Sequence, residues 1–182
     1  MITVVVMSRK RLLVLAVLAA VLIAGIVAWW GRPQMGEGSV YGSGENMTWA
    51  DDGVDQTRMV VRDRSHGDPT ATFSIRNDGR LPFTVHDLDD SGEDFWFAQQ
   101  RVAFKPGIDL SDSSMANADP EITLAPGEEA TVLWAIDMTT APSMAEGDIR
   151  EIDTFRFTVS WLGIPATREL RLPKPITFVG PM

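Results

Sequence analysis

The chain has 182 residues, no cysteine and a formal charge of −9, from 25 acidic against 16 basic side chains. The missing thiols exclude disulfides, thiolate zinc sites and cysteine nucleophiles, so the fold must rest on its apolar core. Beyond position 32 lie all 25 acids and 12 of the basic residues, a net −13 that argues against nucleic acid or an anionic lipid surface as partner, because both require a basic footprint.

Leu12 to Trp30 runs nineteen residues without a charge, a hydroxyl or a side-chain amide. As a helix rising 1.5 Å per residue it measures about 28 Å, which matches the ~30 Å hydrocarbon layer of a bilayer. The expected organisation is a basic N-terminus over 1–11, a transmembrane helix over 12–30, a flexible glycine-rich tether over 31–48 and a folded domain over 49–182. Arg9, Lys10 and Arg11 precede the span, which predicts a single-pass protein of the cell membrane with a cytoplasmic N-terminus and an extracytoplasmic domain. Trp29 and Trp30 close the span with rings suited to the headgroup boundary. A cleaved signal peptide is the rival reading. The apolar run exceeds the usual 7–15 residues, and Ala28-Trp29-Trp30 offers no small-x-small cleavage site. Met7, just before Ser8 and the basic triplet, is an alternative start. Besides contact with membrane lipid, the span offers Ala16, Ala20, Ala24 and Ala28 at every fourth position, the spacing of a self-association face.

Beyond the span, 31–44 holds five glycines and one proline, the composition of a flexible linker. A period of two then sets in, the pattern of half-buried strands. Met59 and Val61 begin it; Ala71, Phe73 and Ile75 follow, then Leu81, Phe83 and Val85. The turn Asn77-Asp78-Gly79-Arg80 between the last two runs predicts a hairpin over 70–88. Phe95, Phe97, Val102 and Phe104 predict a further strand over 94–105, ahead of a polar loop at 106–120. Ile122 and Leu124 lead into a Pro126-Gly127 turn; Ala130, Val132, Trp134 and Ile136 alternate after it. The stretch 139–151 reads as irregular. Phe155, Phe157, Val159 and Trp161 give the strongest strand, and a turn at Gly163 and Pro165 returns the chain through Leu170 and Leu172. Pro173 and Pro175 are expected to keep the last segment out of any central ladder. Short strands separated by turns predict an all-β, two-sheet immunoglobulin-like sandwich with Trp134 and Trp161 in its core.

Two motifs carry a resemblance: Asn77-Asp78-Gly79 within 73–85, and Leu124-Ala125-Pro126-Gly127-Glu128 after Ile122. Together they resemble the Asn-x-Gly and Leu-x-Pro-Gly-Glu turns of bacterial extracytoplasmic immunoglobulin-like domains, and the chain is similar to small single-span envelope proteins of actinobacteria. The resemblance implies the sandwich fold and brings no functional residues with it. The arginine-rich, lysine-poor composition fits a GC-rich bacterial source.

Little chemistry is legible. His66 and His86 sit in no metalloprotease or deaminase spacing, and neither a Gly-x-Ser-x-Gly elbow nor a phosphate-binding loop occurs. Met138 and Met144 have no histidine near them in sequence to complete a soft copper site. Asn46-Met47-Thr48 matches a glycosylation sequon. The best candidate is the acidic run 87–94, in which Asp87, Asp89, Ser91 and Gly92 reproduce the first half of a calcium loop, with Glu93 and Asp94 as further oxygens. Its twelfth position is Ala98 instead of a bidentate glutamate. The expected function is therefore a non-catalytic, membrane-anchored docking or accessory module that binds another envelope or membrane protein through the 87–94 and 106–120 loops, with no cofactor. Two alternatives stay open: a calcium-stabilised adhesion module and an envelope hydrolase.

Overall fold

The computed structural model describes residues 9–51, 56–61, 68–89, 100–108, 115–137 and 144–179. The chain divides into two units at Arg32 and Pro33. In the first, the unbroken apolar run forms helix α1, Arg9–Trp30, so the basic triplet is itself helical. The window Arg9–Val27 has a mean hydropathy of 2.4 and no buried residue, long and apolar enough to cross a membrane, a property it shares with signal sequences. Gly31 N–H closes the last turn on the Val27 carbonyl. The Arg32 guanidinium lies 4.1 Å above the Trp29 ring, a cation–π contact at the helix end.

The described residues of the second unit form ten strands: β1 Met35–Ser43, β2 Thr48–Asp51, β3 Gln56–Val61, β4 Thr70–Asn77, β5 Phe83–Leu88, β6 Gln100–Pro106, β7 Ile122–Leu124, β8 Glu129–Ile136, β9 Ile149–Trp161 and β10 Ile164–Val179. They form a four-stranded sheet ordered β1-β4-β8-β6 and a six-stranded sheet ordered β2-β3-β10-β9-β5-β7. Among these strands the β3–β10 pair is parallel and the other pairs are antiparallel. The chain is thus mostly β, a two-sheet sandwich preceded by one apolar helix, as the period-two alternation requires.

Between the sheets, Phe73, Phe104 and Trp134 meet Phe155 and Phe157. Phe73 stacks on Phe155 at 5.1 Å and Trp134 meets Phe155 edge-on at 5.3 Å. All five rings are essentially inaccessible, and each contributes about 1.5–3 kcal/mol through apolar burial. The Trp134 indole N–H donates to Gln100 Oε1 at 2.8 Å, which satisfies the one polar atom carried by these five rings. Trp161 is also buried. After it, β9 and β10 are joined by a two-residue turn in which both Leu162 and Gly163 have positive φ, 50° and 76°, the requirement of a type I′ hairpin. A leucine there costs about 1–2 kcal/mol relative to glycine.

Three expectations are corrected. Residues 31–48 do not form a tether: β1 occupies Met35–Ser43 and pairs with β4 from Met35↔Asn77 to Ser43↔Ala71. The glycines serve close packing. A Cβ on Gly38 would lie 2.0 Å from Ser74 Oγ and 2.9 Å from the Ser74 backbone carbon, and one on Gly44 would lie 2.8 Å from the Thr70 carbonyl oxygen. At the bulge between Glu37 and Tyr41, Ser74 Oγ accepts from Val40 N–H and Glu129 Oε2 accepts from Ser39 N–H and Oγ–H. The Tyr41 hydroxyl then donates to the Lys174 carbonyl of β10, and burial pushes its phenol above the usual tyrosine range.

The 70–88 stretch is not a hairpin. β4 and β5 belong to different sheets, and Asn77–Leu81 is the corner between them. Asn77, 0 % exposed, dictates that corner. Its Nδ2 donates to the carbonyls of Leu81 and Leu124, both at 2.9 Å, and its Oδ1 accepts from Gly79 N–H at 2.8 Å. Its own N–H donates to the Glu128 carbonyl and its carbonyl accepts from Gly127 N–H. The two turn motifs of the sequence are therefore one junction. Glu128 completes it, taking Ala125 N–H on Oε2 at 2.8 Å, while Gly127 supplies φ 79°.

The final segment is not excluded from the ladder either. Ile176–Phe178 lies between β3 and β9. Pro173 and Pro175 are accommodated because register slips between Arg171↔Thr154 and Ile176↔Ile152, leaving Leu172 to Pro175 opposite the single residue Asp153. The predicted strand at Phe95 and Phe97 lies outside the described residues, and its continuation is β6.

Packing of β1 onto Ser74 predicts that Gly38→Ala destabilises the sandwich by about 1–3 kcal/mol in denaturant unfolding. An unchanged midpoint would mean that the segment is a tether after all.

Candidate binding site

Of the proposed calcium ligands, Ser91, Glu93 and Asp94 lie outside the described residues. Asp87 and Asp89 are described, and each accepts a hydrogen bond from a different donor. Asp87 follows a register shift in β5 and its Oδ1 accepts from Leu88 N–H at 2.7 Å. Asp89 turns to the six-stranded sheet, where its Oδ2 accepts from Thr167 Oγ–H at 2.9 Å and its N–H donates to the Arg156 carbonyl. Among the described residues no three His, Asp or Glu side chains gather as a metal site. Met144 is buried in the domain; Met138 and His66 are outside the described residues.

What the structure does bring together is the end of β5 with the segment beyond β6. Asp87, Gln100, Arg101, Val102, Ala103, Met115, Ala118 and Pro120 line a hollow of about 390 Å³. Asp87, from the first of the loops singled out in the sequence, and Met115, Ala118 and Pro120, from the second, therefore border one concavity. Its floor is positioned by β6, whose Phe104 exchanges hydrogen bonds with Asp119, both 2.8 Å, so the Met115–Asn117 turn is drawn over the sheet edge. Arg101 is held by Asp68 at 3.0 Å on the rim. Gln100 gives its oxygen to Trp134, while its Nε2 is buried and meets no acceptor among the described residues. Such a donor costs about 1–3 kcal/mol when left unmade, and here it borders a hollow walled by Val102, Ala103, Met115 and Pro120. The alternation over 94–105 did not single out Gln100; only the pairing of β6 with β8 brings its side chain beside the buried indole.

A second cluster was also invisible in the sequence. His86 Nδ1 lies 2.8 Å from Glu121 Oε2, and its Nε2 lies 2.7 Å from Ser160 Oγ. Serine, imidazole and carboxylate thus stand in the order of an acyl-transfer relay. Both β5 and β9 alternate, with Val85 and Val159 inward and His86 and Ser160 outward, but their contact needs the β5–β9 pairing that the supposed β4–β5 hairpin concealed. Among the described residues no backbone N–H pair is aimed at Ser160 as an oxyanion hole would be. Ser160 is a mid-strand residue between Thr84 and Pro165, so the neighbouring backbone N–H groups belong to the ladder and Pro165 has none to aim at an oxyanion. The trio instead clamps the start of β7 to β9. A fluorophosphonate is accordingly expected to leave Ser160 unmodified by mass spectrometry; an adduct at Ser160 that disappears in His86→Ala would contradict this reading.

No family model and no curated protein matches the chain. Among solved structures, "apo PmoF2 PCuAC domain" aligns over 74 % of this chain and 94 % of that one, with 10 % identity and a TM-score of 0.37. A likeness of that degree carries no ligand or activity to this chain.

Proposed function

We propose that this protein is a membrane-anchored, non-catalytic binding module that docks another envelope protein. The observation that carries the binding reading is the Gln100 hollow. A buried N–H donor meets no acceptor among the described residues, apolar walls adjoin the hollow, and Asp87 and Arg101 supply opposite charges at its margins. A carbonyl-bearing side chain or backbone segment of a partner protein would satisfy the donor and cover the walls. Anchoring rests on α1, which is apolar over a bilayer's thickness and has its described side chains exposed. In this reading Arg9, Lys10 and Arg11 hold the N-terminus in the cytoplasm, the sandwich is extracytoplasmic, and Ala16, Ala20 and Ala24 offer a face for a second anchor. The turn motifs and composition support an actinobacterial cell envelope as the setting.

A photo-crosslinking amino acid placed at Met115 of the full-length protein, in membranes of the native host, tests this. One reproducible membrane protein is expected from Met115, and none from Thr158 on the outer face of β9. The same adducts from both positions, or none from either, would overturn the docking role.

A further inference from the structure

The large apolar side chains exposed on the sandwich are not scattered evenly. Among the described residues they are Ile108, Ile149, Leu162 and Ile164, at 52, 59, 65 and 49 % exposure. Three of the four lie at one end of both sheets, the end carrying the Asn77 corner. Ile108 follows Gly107, which is bridged to Ala130 next to Glu129. Leu162 and Ile164 belong to the β9–β10 turn, just beyond the rung where Ser160 pairs with Thr84. Ile149 pairs with Val179 at the opposite end. Leu162 is also held at φ 50°, where asparagine or glycine would sit without strain and without an exposed apolar surface.

The same end receives the chain. The Pro33 carbonyl accepts from Arg168 Nε–H at 2.7 Å, the Gln34 carbonyl accepts from Asp78 N–H at 2.8 Å, and Met35 pairs with Asn77. Pro33 comes three residues after Trp30, the last residue of α1. Three extended residues span at most about 10 Å, whatever direction the helix takes. An anchored helix ends at headgroup level, where Trp29 and Trp30 belong. The Asn77 end is therefore leashed close to the lipid surface.

Charge is distributed in the same sense. At the Asn77 end, Arg76, Arg80, Lys105 and Arg168 balance Glu37, Asp78, Glu128 and Glu129, whereas at the opposite end Glu45, Asp68, Asp137, Glu146 and Asp148 outnumber Arg101 and Arg150. The net −13 of the exterior part thus does not bar this particular end from a bilayer.

We propose that the sandwich docks on the lipid surface through its Asn77 end, with Leu162, Ile164 and Ile108 entering the headgroup layer. This rests on the anchored reading of α1. The partner is the bilayer that the helix itself enters; docking would turn the Gln100 hollow, which lies along the β6 edge, to a fixed height above the membrane instead of leaving it to swing on a leash.

The chain has no native cysteine, so single-cysteine variants can be labelled cleanly. Full-length Leu162→Cys, Ile164→Cys and Ile149→Cys, each carrying an NBD fluorophore, would be reconstituted at one copy per phosphatidylcholine nanodisc and exposed to dithionite. Labels at 162 and 164 are expected to emit at shorter wavelength and to be reduced about tenfold more slowly than the label at 149, as for a group seated in the headgroup region. Equal rates at all three positions, in protein that remains with the nanodisc at alkaline pH, would overturn the docking while leaving the anchor intact. Release of the chain at alkaline pH would overturn the anchored reading and this inference with it. Protection that appears only with two copies per disc would identify a second sandwich as the occupant, again overturning contact with lipid.

Discussion

Asn77 is the constraint on which the sandwich depends. Five hydrogen bonds radiate from one buried residue: two from its amide nitrogen to Leu81 and Leu124, one to its side-chain oxygen from Gly79, and two from its backbone to Glu128 and Gly127. The groups it joins belong to the end of β4, the corner leading to β5, the end of β7 and the turn into β8. A buried amide in an apolar interior is tolerated only when it is satisfied, and this one is satisfied only if the corner and the turn occupy their native places together. The identity of the residue thus imposes a tertiary arrangement. Neighbouring features inherit it: β1 starts opposite Asn77, the Pro126-Gly127 turn is locked by Glu128, and the large rings of Phe73, Trp134, Phe155 and Phe157 meet because β4 and β9 are set face to face.

Much of this was legible in the sequence. Alternation at 71–75, 130–136 and 155–161 identified the strands, and at 155–161 the inward face as well; in β4 and β8 the intervening Thr72, Ser74, Thr131 and Leu133 are buried too. The apolar run was legible as one long apolar helix, because nineteen uncharged residues without a proline form a continuous turn-by-turn ladder. Turn chemistry was read correctly at Asn77 and Pro126, but its meaning was not. An Asn-Gly pair between alternating runs fits a hairpin and a sheet-to-sheet corner equally well, and only burial of the amide distinguishes them. Glycine density misled in the opposite direction. At 31–44 it resembled a linker, whereas Gly38 and Gly44 are small because Ser74 and Thr70 approach them closely. Pro173 and Pro175 looked like terminators because the bulge that absorbs them depends on β9, some twenty residues away in sequence.

The candidate site was less legible for the same reason. Its parts come from β5, β6 and the turn after β6, and nothing local marks Gln100 as the residue that caps an indole with one end of its amide and leaves the other unmatched. The His86–Glu121–Ser160 clamp is likewise a product of pairing between strands distant in sequence. Among the described residues its two hydrogen bonds tie the start of β7 through β5 to β9. The acidic run drew attention by its density of carboxylates, yet the two described members turn to separate donors, Leu88 and Thr167.

The most direct test of the account is the unfolding free energy of Asn77→Asp. The change keeps an acceptor for Gly79 N–H and nearly the same volume, but it removes the donor shared by Leu81 and Leu124 and places a carboxylate against their carbonyl oxygens. A loss of about 3 kcal/mol or more in equilibrium denaturation is predicted, since buried acceptors lose their partner and a charge is buried unpaired. A variant within about 0.5 kcal/mol of the parent, the range of ordinary surface substitutions, would contradict the claim that this residue holds the two sheets together.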